Sequence, residues 1–212
     1  MEPTDENREI WDKVHLARHT APPGAAGLPG PVKHSLADLT KKRVLHLCCR
    51  TGEATEELAG LGAVVTGVDP SEEALDVARE RAPSILWVHA DPDGLPRELK
   101  RERFELVYCG PGTLEETRDL EALARGVRNA LRSGGDLLLF DEHPVAWAVD
   151  GLMHWRDSYF GEGRWRLGQL VSAVTRAGLG VRALEEYPAR HGNPRRHDAR
   201  VPAEFLLYAR RP

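Results

Sequence analysis

Residues 44–52 read VLHLCCRTG, an apolar run followed by a short loop that ends in glycine. A helical segment, residues 53–61, comes directly after the loop, and a run rich in β-branched residues follows at 64–68. A second helix is predicted from Ser71, whose hydroxyl can cap it, to Arg81. This order of strand, helix, strand and helix predicts a parallel sheet that is covered by helices on both faces.

The same alternation continues to residue 140 and then changes. Short apolar runs predict further strands, and the longer periodic segments predict helices. The further strands are expected at 85–89, 104–109, 136–140, 181–186 and 204–209, and the further helices at 115–132 and 167–177. A turn at 133–135 precedes the fifth strand. We therefore expect an α/β fold with a doubly wound, mostly parallel seven-stranded sheet and an antiparallel C-terminal hairpin.

The segments outside this repeat differ from it in composition. Residues 1–38 are expected to form an N-terminal helix and a linker rich in proline and glycine, and residues 39–212 the main domain. Within that domain, residues 144–166 are expected to form an aromatic insertion. The polar loop at 188–202 contains several arginines and is expected to be solvated.

The composition excludes several functional classes. The 212 residues carry 29 Lys and Arg against 33 Asp and Glu, a formal net charge of −4, which argues against a sequence-independent nucleic-acid binder. With 41% hydrophobic residues the chain can build a full core, and it has no stretch of about 20 apolar residues that would cross a membrane. The polar N-terminus and three cysteines without CxxC spacing favour a reducing cytoplasm and no metal site.

Polar residues follow the first three strands at the point where each strand ends. Open α/β sheets bind ligands at the carboxyl ends of their strands. After the first strand, the N-terminus of a helix offers backbone amides to polar ligand atoms. Asp69 can accept hydrogen bonds from both hydroxyls of a ribose, and Asp91 from the exocyclic amine of a purine. The sequence therefore predicts one nucleoside-binding site at this edge.

With these motifs the sequence resembles the class I S-adenosylmethionine-dependent methyltransferases from Lys42 to Pro212. The resemblance rests on the order and spacing of five segments: VLHLCCRTG at 44–52, VTGVDPS at 65–71, HAD at 89–91 followed by LP at 95–96, FELVY at 104–108 and LRSGG at 131–135. It implies a Rossmann-like methyltransferase fold, S-adenosylmethionine as cofactor, S-adenosylhomocysteine as product and no metal.

The resemblance also implies roles for individual residues. The first loop would hold the methionine part of the cofactor, Asp69 its ribose and Asp91 its adenine amine, while the helix around Trp11 would cover the cofactor as a lid. The cofactor-binding residues expected on this basis are Trp11, His46, Cys48, Arg50, Gly52, Asp69, Pro70, Ala90, Asp91 and Tyr108.

The first loop departs from the family's pattern of an acid followed by three alternating glycines. His46 replaces the acid, Cys48 the first glycine and Arg50 the middle glycine, so that only Gly52 remains. Glycine suits the middle position because the backbone approaches the ligand there and can need a positive φ. Three positions of the Arg50 side chain are open. In the first it fills the methionine pocket and repels the sulfonium, in the second it pairs with the cofactor's carboxylate, and in the third it turns into solvent.

Methyl transfer requires positioning and, for a protonated acceptor, a base. The candidate base is His143, which follows the fifth strand; alternatively it caps the strand and bonds a backbone carbonyl. Glu142 either orients His143 or is solvated, and the solvated interpretation is favoured. Gly110 follows the fourth strand and belongs either to the family's wall between cofactor and acceptor or to a plain turn. The thiols of Cys109 and of Cys48-Cys49 are expected to be buried packing groups.

Aromatic residues are concentrated after the fifth strand. They form either a lid over a flat apolar acceptor, which is the favoured interpretation, or the core of a helical insertion. The residues expected to bind the substrate are Gly110, Glu142, His143, Trp147, Trp155 and Tyr159.

Together these features predict S-adenosylmethionine-dependent methyl transfer to a small-molecule O, N or C acceptor. Alternatively, the altered loop at Arg50 marks a methyltransferase-like protein that catalyses another reaction, such as a cyclisation, or acts as a non-catalytic partner. A nicotinamide-dependent oxidoreductase is disfavoured because Gly-x-Gly-x-x-Gly is absent and Asp91 would have no role.

Overall fold

The computed structural model describes residues 27–101, 103–149, 155, 157–188 and 201–212. The expected N-terminal helix with Trp11, most of the linker and most of the polar loop at 188–202 lie outside the described residues.

One sheet forms the centre of the fold. Its strands are β1 (Arg43–Leu47), β2 (Val64–Asp69), β3 (Leu86–His89), β4 (Phe104–Cys109), β5 (Leu131–Glu142), β6 (Gly180–Pro188) and β7 (Pro202–Arg210). The seven strands lie in the order β3-β2-β1-β4-β5-β7-β6. Strands β1 to β5 pair in parallel, whereas β7 lies antiparallel between β5 and β6. The predicted mostly parallel sheet and its antiparallel hairpin are confirmed.

Helices cover both faces of this sheet. They are α1 (Gly30–Ser35), α2 (Glu53–Gly60), α3 (Glu72–Arg81), α4 (Thr113–Glu116), α5 (Leu120–Ala130), α6 (Val145–Ala148) and α7 (Leu167–Arg176). Successive side chains of a strand point to opposite faces. Accordingly, Leu45 of β1 packs in one core with Val127 of α5 and Val174 of α7, and Val44 packs in the other core with Leu58 of α2. Helix α1 occupies part of the segment that was expected to be a linker.

The helix predicted at 115–132 is divided into α4 and α5. Thr117 between them is extended, with φ −84° and ψ 123°. Asp119 starts the second helix because its carboxylate accepts two backbone N–H groups of the first turn. Asp93 fixes the connection, since its carboxylate accepts the backbone N–H groups of residues 118 and 119 at 2.8 and 2.7 Å. The prediction of one continuous helix was therefore wrong.

Strand β5 begins earlier than the sequence predicted. Leu131 already pairs with Phe104, and after an irregularity the pairing resumes with Asp136 opposite Leu106. Residues 133–135 therefore lie within the strand instead of forming a turn before it.

Gly67 of β2 lies beneath the indole ring of Trp87. A Cβ atom at position 67 would be 2.4 Å from Trp87 Cζ3 and 3.1 Å from Cys49 Sγ. The ring is fixed because its Nε1 donates to Ala82 O at 3.0 Å. We expect Gly67→Ala to lower the free energy of unfolding by about 1–3 kcal/mol, the usual cost of an overpacked core. Urea denaturation measures this change.

Gly168→Ala is the matched control for that substitution. A Cβ at position 168 meets no atom within 4 Å, and the residue lies in helix α7, where alanine is the better helix former. The control is expected to be as stable as the wild type or slightly more stable. Equal stability of Gly67→Ala and the wild type would contradict the packing described here.

Candidate active site

The loop after β1 contains three residues in the left-handed region. Cys48 has φ 54°, Arg50 φ 52° and Gly52 φ 90°. A non-glycine residue in this region costs about 1–2 kcal/mol, and such strain persists only where the surroundings hold it. Here the Arg50 N–H donates to Asp69 Oδ2 at 2.7 Å, and the Cys49 N–H donates to Val68 O at 3.1 Å. The expectation that position 50 needs a positive φ is confirmed, although its residue is arginine.

The Asp69 carboxylate joins this loop to the end of β2. Its Oδ1 accepts the N–H of Ser71 at 3.0 Å, while its Oδ2 accepts that of Arg50. The side chain is buried, with 5% of its surface exposed. Because each carboxylate oxygen has two lone pairs, both oxygens keep acceptor capacity for a further donor.

The end of β3 lies beside the end of β2. The Ala90 N–H donates to Asp69 O at 3.1 Å, and a ring nitrogen of His89 lies 2.9 Å from Pro70 O. Asp91 follows and is exposed. Asp69, Ala90 and Asp91, three of the residues expected to contact the nucleoside, are therefore brought to one edge, with Pro70 beside them.

Glu116 of α4 belongs to the same edge, and the sequence interpretation missed it. Partial burial raises the pKa of its carboxyl group, and the charges of Glu115, Asp69 and Asp91 raise it further, while the Arg50 guanidinium lowers it. These groups therefore lie within electrostatic range of one another. The signal in the sequence was the pair Glu115-Glu116 directly after the loop of β4.

The Arg50 side chain reaches from the loop of β1 to the loop of β4. It is exposed, and a Cβ on Gly112 would lie 3.0 Å from its Nη2 and 4.0 Å from its Nε. Gly112 has φ 97°. Within the described ranges, the Arg50 guanidinium makes no hydrogen bond and no ion pair. The side chain thus lies across the edge and does not fill a buried pocket.

His46 supports the two loops from below. It is buried, its Nδ1 lies 2.8 Å from Thr55 Oγ1, and its ring stacks on Tyr108 with centroids 4.7 Å apart. Burial lowers the pKa of His46 to about 3, so the ring is neutral. A Cβ on Gly110 would lie 2.9 Å from His46 Nε2, which explains why glycine stands there. These contacts make His46 and Tyr108 a platform beneath the loops.

Asp141 fixes the loop after β4. Its Oδ1 accepts the N–H groups of Gly112 and Glu142 at 2.9 and 2.7 Å, and its Oδ2 accepts that of Leu114 at 2.8 Å. The residue is 1% exposed. Burial raises its pKa to about 6, although the three hydrogen bonds act to lower it. The sequence interpretation passed over Asp141 for its neighbour His143, because the partners of Asp141 lie on a distant loop.

His143 is enclosed by protein groups. Its Nδ1 accepts the N–H of Val145 at 3.1 Å, its Nε2 lies 2.8 Å from Glu186 Oε1, and its ring meets Phe205 edge-on at 6.2 Å. Both nitrogens therefore face groups of the chain itself, but the backbone group that the ring meets is the N–H of Val145 and not a carbonyl. Its role as a base stays a prediction.

Glu142 accepts a hydrogen bond from Trp147 Nε1 at 2.6 Å and is only partly exposed. The interpretation of Glu142 as a solvated residue was therefore wrong. The indole N–H of Trp147, which lies in α6, needs an acceptor, and the Glu142 carboxylate supplies it. The Arg164 guanidinium stacks over the same indole ring at 4.7 Å.

The remaining aromatic residues differ in exposure. Tyr159 OH accepts the N–H of Leu167 at 3.4 Å, and Trp165 Nε1 donates to Thr117 O at 2.7 Å. Trp155 is 68% exposed. Trp165 thus attaches the segment to the connection between α4 and α5, and the lid interpretation stays a prediction.

All three cysteines, Cys48, Cys49 and Cys109, are buried and free, as expected. Burial raises the pKa of each thiol, so the thiols are protonated at neutral pH. They lie at the ends of β1 and β4.

Comparison with known proteins identifies relatives of this chain. A family model described as a methyltransferase domain matches residues 44–135. An uncharacterized methyltransferase from Synechocystis is 36% identical over 115 residues, which cover 53% of this chain and 53% of that protein. A ubiquinone biosynthesis O-methyltransferase from Glaesserella parasuis is 30% identical over 105 residues, covering 46% and 44% of the two chains. The chain spans about half the length of these curated relatives.

A solved structure resembles this chain over most of its length. The crystal structure of an S-adenosylmethionine-dependent methyltransferase from Mesorhizobium loti superposes with a TM-score of 0.72 at 26% identity, covering 89% of this chain and 99% of that one. Within the described part of the chain, no helix has the length and apolar character needed to span a membrane.

Proposed function

We propose that this chain is a class I S-adenosylmethionine-dependent methyltransferase, which binds the cofactor at the carboxyl edge of β1–β4 and transfers the methyl group to a small-molecule O, N or C acceptor. The observation that carries this proposal is the position of Asp69. Its buried carboxylate lies where the first loop and the ends of β2 and β3 meet, and it retains acceptor capacity for two hydroxyl groups.

The residues at this edge fit the three parts of the cofactor. Asp69 offers acceptors to the ribose, and the exposed Asp91 offers one to the adenine amine. The left-handed loop at 48–52 brings backbone close to the methionine part and ends at Gly52, which caps α2 without a side-chain hydrogen bond. The N-terminus of a helix offers backbone N–H groups that suit a polar ligand atom.

The protein's part in the reaction is to bind and orient. The bound cofactor would supply an electrophilic methyl group on its sulfonium. The loop after β4, which Asp141 holds from below, would form the wall between cofactor and acceptor, and the aromatic residues after β5 would contact the acceptor. An in-line displacement gains most from such positioning.

Two measurements test the proposal. Isothermal titration calorimetry with S-adenosylhomocysteine tests binding, and label transfer from methyl-labelled S-adenosylmethionine to small phenols, amines and carbon acids tests the reaction. We expect binding of one ligand per chain and label in one acceptor class. The absence of binding would contradict the whole proposal, and binding without transfer to any class would contradict its second step.

Asp91→Ala is expected to weaken S-adenosylhomocysteine binding about tenfold, because one charge-assisted hydrogen bond to the adenine amine is lost. The calorimetric dissociation constant checks this change. The control is Glu98→Ala, which removes an exposed carboxylate from the connection after β3 and is expected to leave binding unchanged. S-inosylhomocysteine, which has a carbonyl oxygen in place of the amine, should lose no affinity when Asp91 is replaced by alanine. An unchanged affinity of Asp91→Ala for S-adenosylhomocysteine would contradict the assigned role.

A further inference from the structure

Arg50 is an arginine in a backbone conformation that favours glycine. Its φ of 52° is held by the hydrogen bond from its N–H to Asp69 Oδ2. Strained non-glycine residues of this kind cluster where the side chain has a function. A glycine would adopt this backbone conformation without strain, so any advantage of arginine at position 50 must come from its side chain.

The Arg50 guanidinium lies between the loops of β1 and β4. It lies against Gly112 of the opposite loop, where the lack of a Cβ makes room for it. In the part of the chain that the structure describes, it forms no ion pair or hydrogen bond. Glu116 lies within its electrostatic range. An exposed guanidinium at this place can bind a carboxylate in bidentate geometry.

We infer that Arg50 determines specificity for the amino-acid end of the cofactor by binding its carboxylate. The inference rests on the proposed function, because that function places the methionine part of S-adenosylmethionine between the loops of β1 and β4. Of the three alternatives for this side chain, carboxylate pairing uses both its place between the two loops and its unpaired charge. The consequence is selectivity: ligands that contain the carboxylate gain affinity from Arg50, and ligands without it do not.

Two ligands and two variants separate this role from a purely structural one. S-adenosylhomocysteine contains the carboxylate, whereas 5′-methylthioadenosine has the same nucleoside without the amino-acid part. Arg50→Gly removes the charge and relieves the backbone strain, and Arg50→Lys keeps the charge but loses the planar fork. A change in the loop alone would alter the affinities for both ligands by the same factor.

Calorimetry of these four combinations and of the wild type is the test. We expect Arg50→Gly to weaken S-adenosylhomocysteine about tenfold or more and to leave 5′-methylthioadenosine within about twofold, with Arg50→Lys between wild type and Arg50→Gly. Equal changes for both ligands, or tighter binding of S-adenosylhomocysteine to Arg50→Gly, would overturn the role of Arg50 while the proposed function stands. If neither ligand binds the wild type or either variant, the proposed function fails and this assignment fails with it.

Discussion

Asp69→Ala is expected to weaken S-adenosylhomocysteine binding about a hundredfold or more. The substitution removes two acceptors for the ribose hydroxyls, each charge-assisted hydrogen bond contributing about 1.5 kcal/mol or more. It also releases the N–H groups of Arg50 and Ser71, which the carboxylate holds at 2.7 and 3.0 Å. The substitution therefore removes hydrogen-bond acceptors for the ligand and for the loop after β1 at the same time. Isothermal titration calorimetry measures the change in dissociation constant.

Asp38→Ala is the matched control for this experiment. Like Asp69, Asp38 accepts the backbone N–H of the residue two positions later, here Thr40 at 3.0 Å, but it lies in an exposed turn before β1. Its replacement is expected to leave the affinity unchanged. Asp69→Asn keeps one oxygen acceptor and should fall between the wild type and Asp69→Ala. Wild-type affinity in Asp69→Ala would contradict the nucleoside site.

The second large effect concerns the pH dependence of stability. Burial raises the pKa of Asp141 from 3.8 to about 6, so the folded chain binds this proton more tightly than the unfolded chain does. The contribution is fully present below about pH 4 and is lost as the pH rises through 6. By linkage, this group should lower the free energy of unfolding by about 2 kcal/mol between pH 4 and 7.

Asp141→Asn removes the titrating group and should remove this slope. Urea denaturation of wild type and variant at several pH values gives the difference curve, and circular dichroism verifies that the variant is folded. Gly168→Ala changes no titratable group, so its curve should run parallel to that of the wild type. A parallel curve for Asp141→Asn would show that Asp141 does not have the raised pKa.

The fold was predictable because its signals are local. The buried runs at 44–49 and 64–68 and the capped helix from Ser71 each follow from neighbouring residues, and their order implies the parallel sheet. The division between α4 and α5 was not predicted, because Asp93, which fixes it, belongs to a connection 25 residues earlier. The periodicity of residues 115–132 gives no information about a hydrogen-bond partner such as Asp93.

The same contrast applies to the site. Asp69 and Asp91 were found because the carboxyl ends of neighbouring parallel strands meet at one edge. Asp141 accepts hydrogen bonds from Gly112 and Leu114, which lie far away in the sequence. The hydrogen bond between Glu142 and Trp147 depends on where helix α6 places the indole ring. The sequence also identified Arg50 as unusual, but only the packing shows that its guanidinium reaches Gly112.

Amide hydrogen exchange with and without S-adenosylhomocysteine locates the bound ligand without any substitution. We expect slower exchange in residues 47–52, 69–71 and 110–114, which form the carboxyl edge of β1, β2 and β4, and unchanged exchange in β6. Bound ligand that leaves these three segments unprotected, or that protects only β6 and β7, would contradict the cofactor site proposed here.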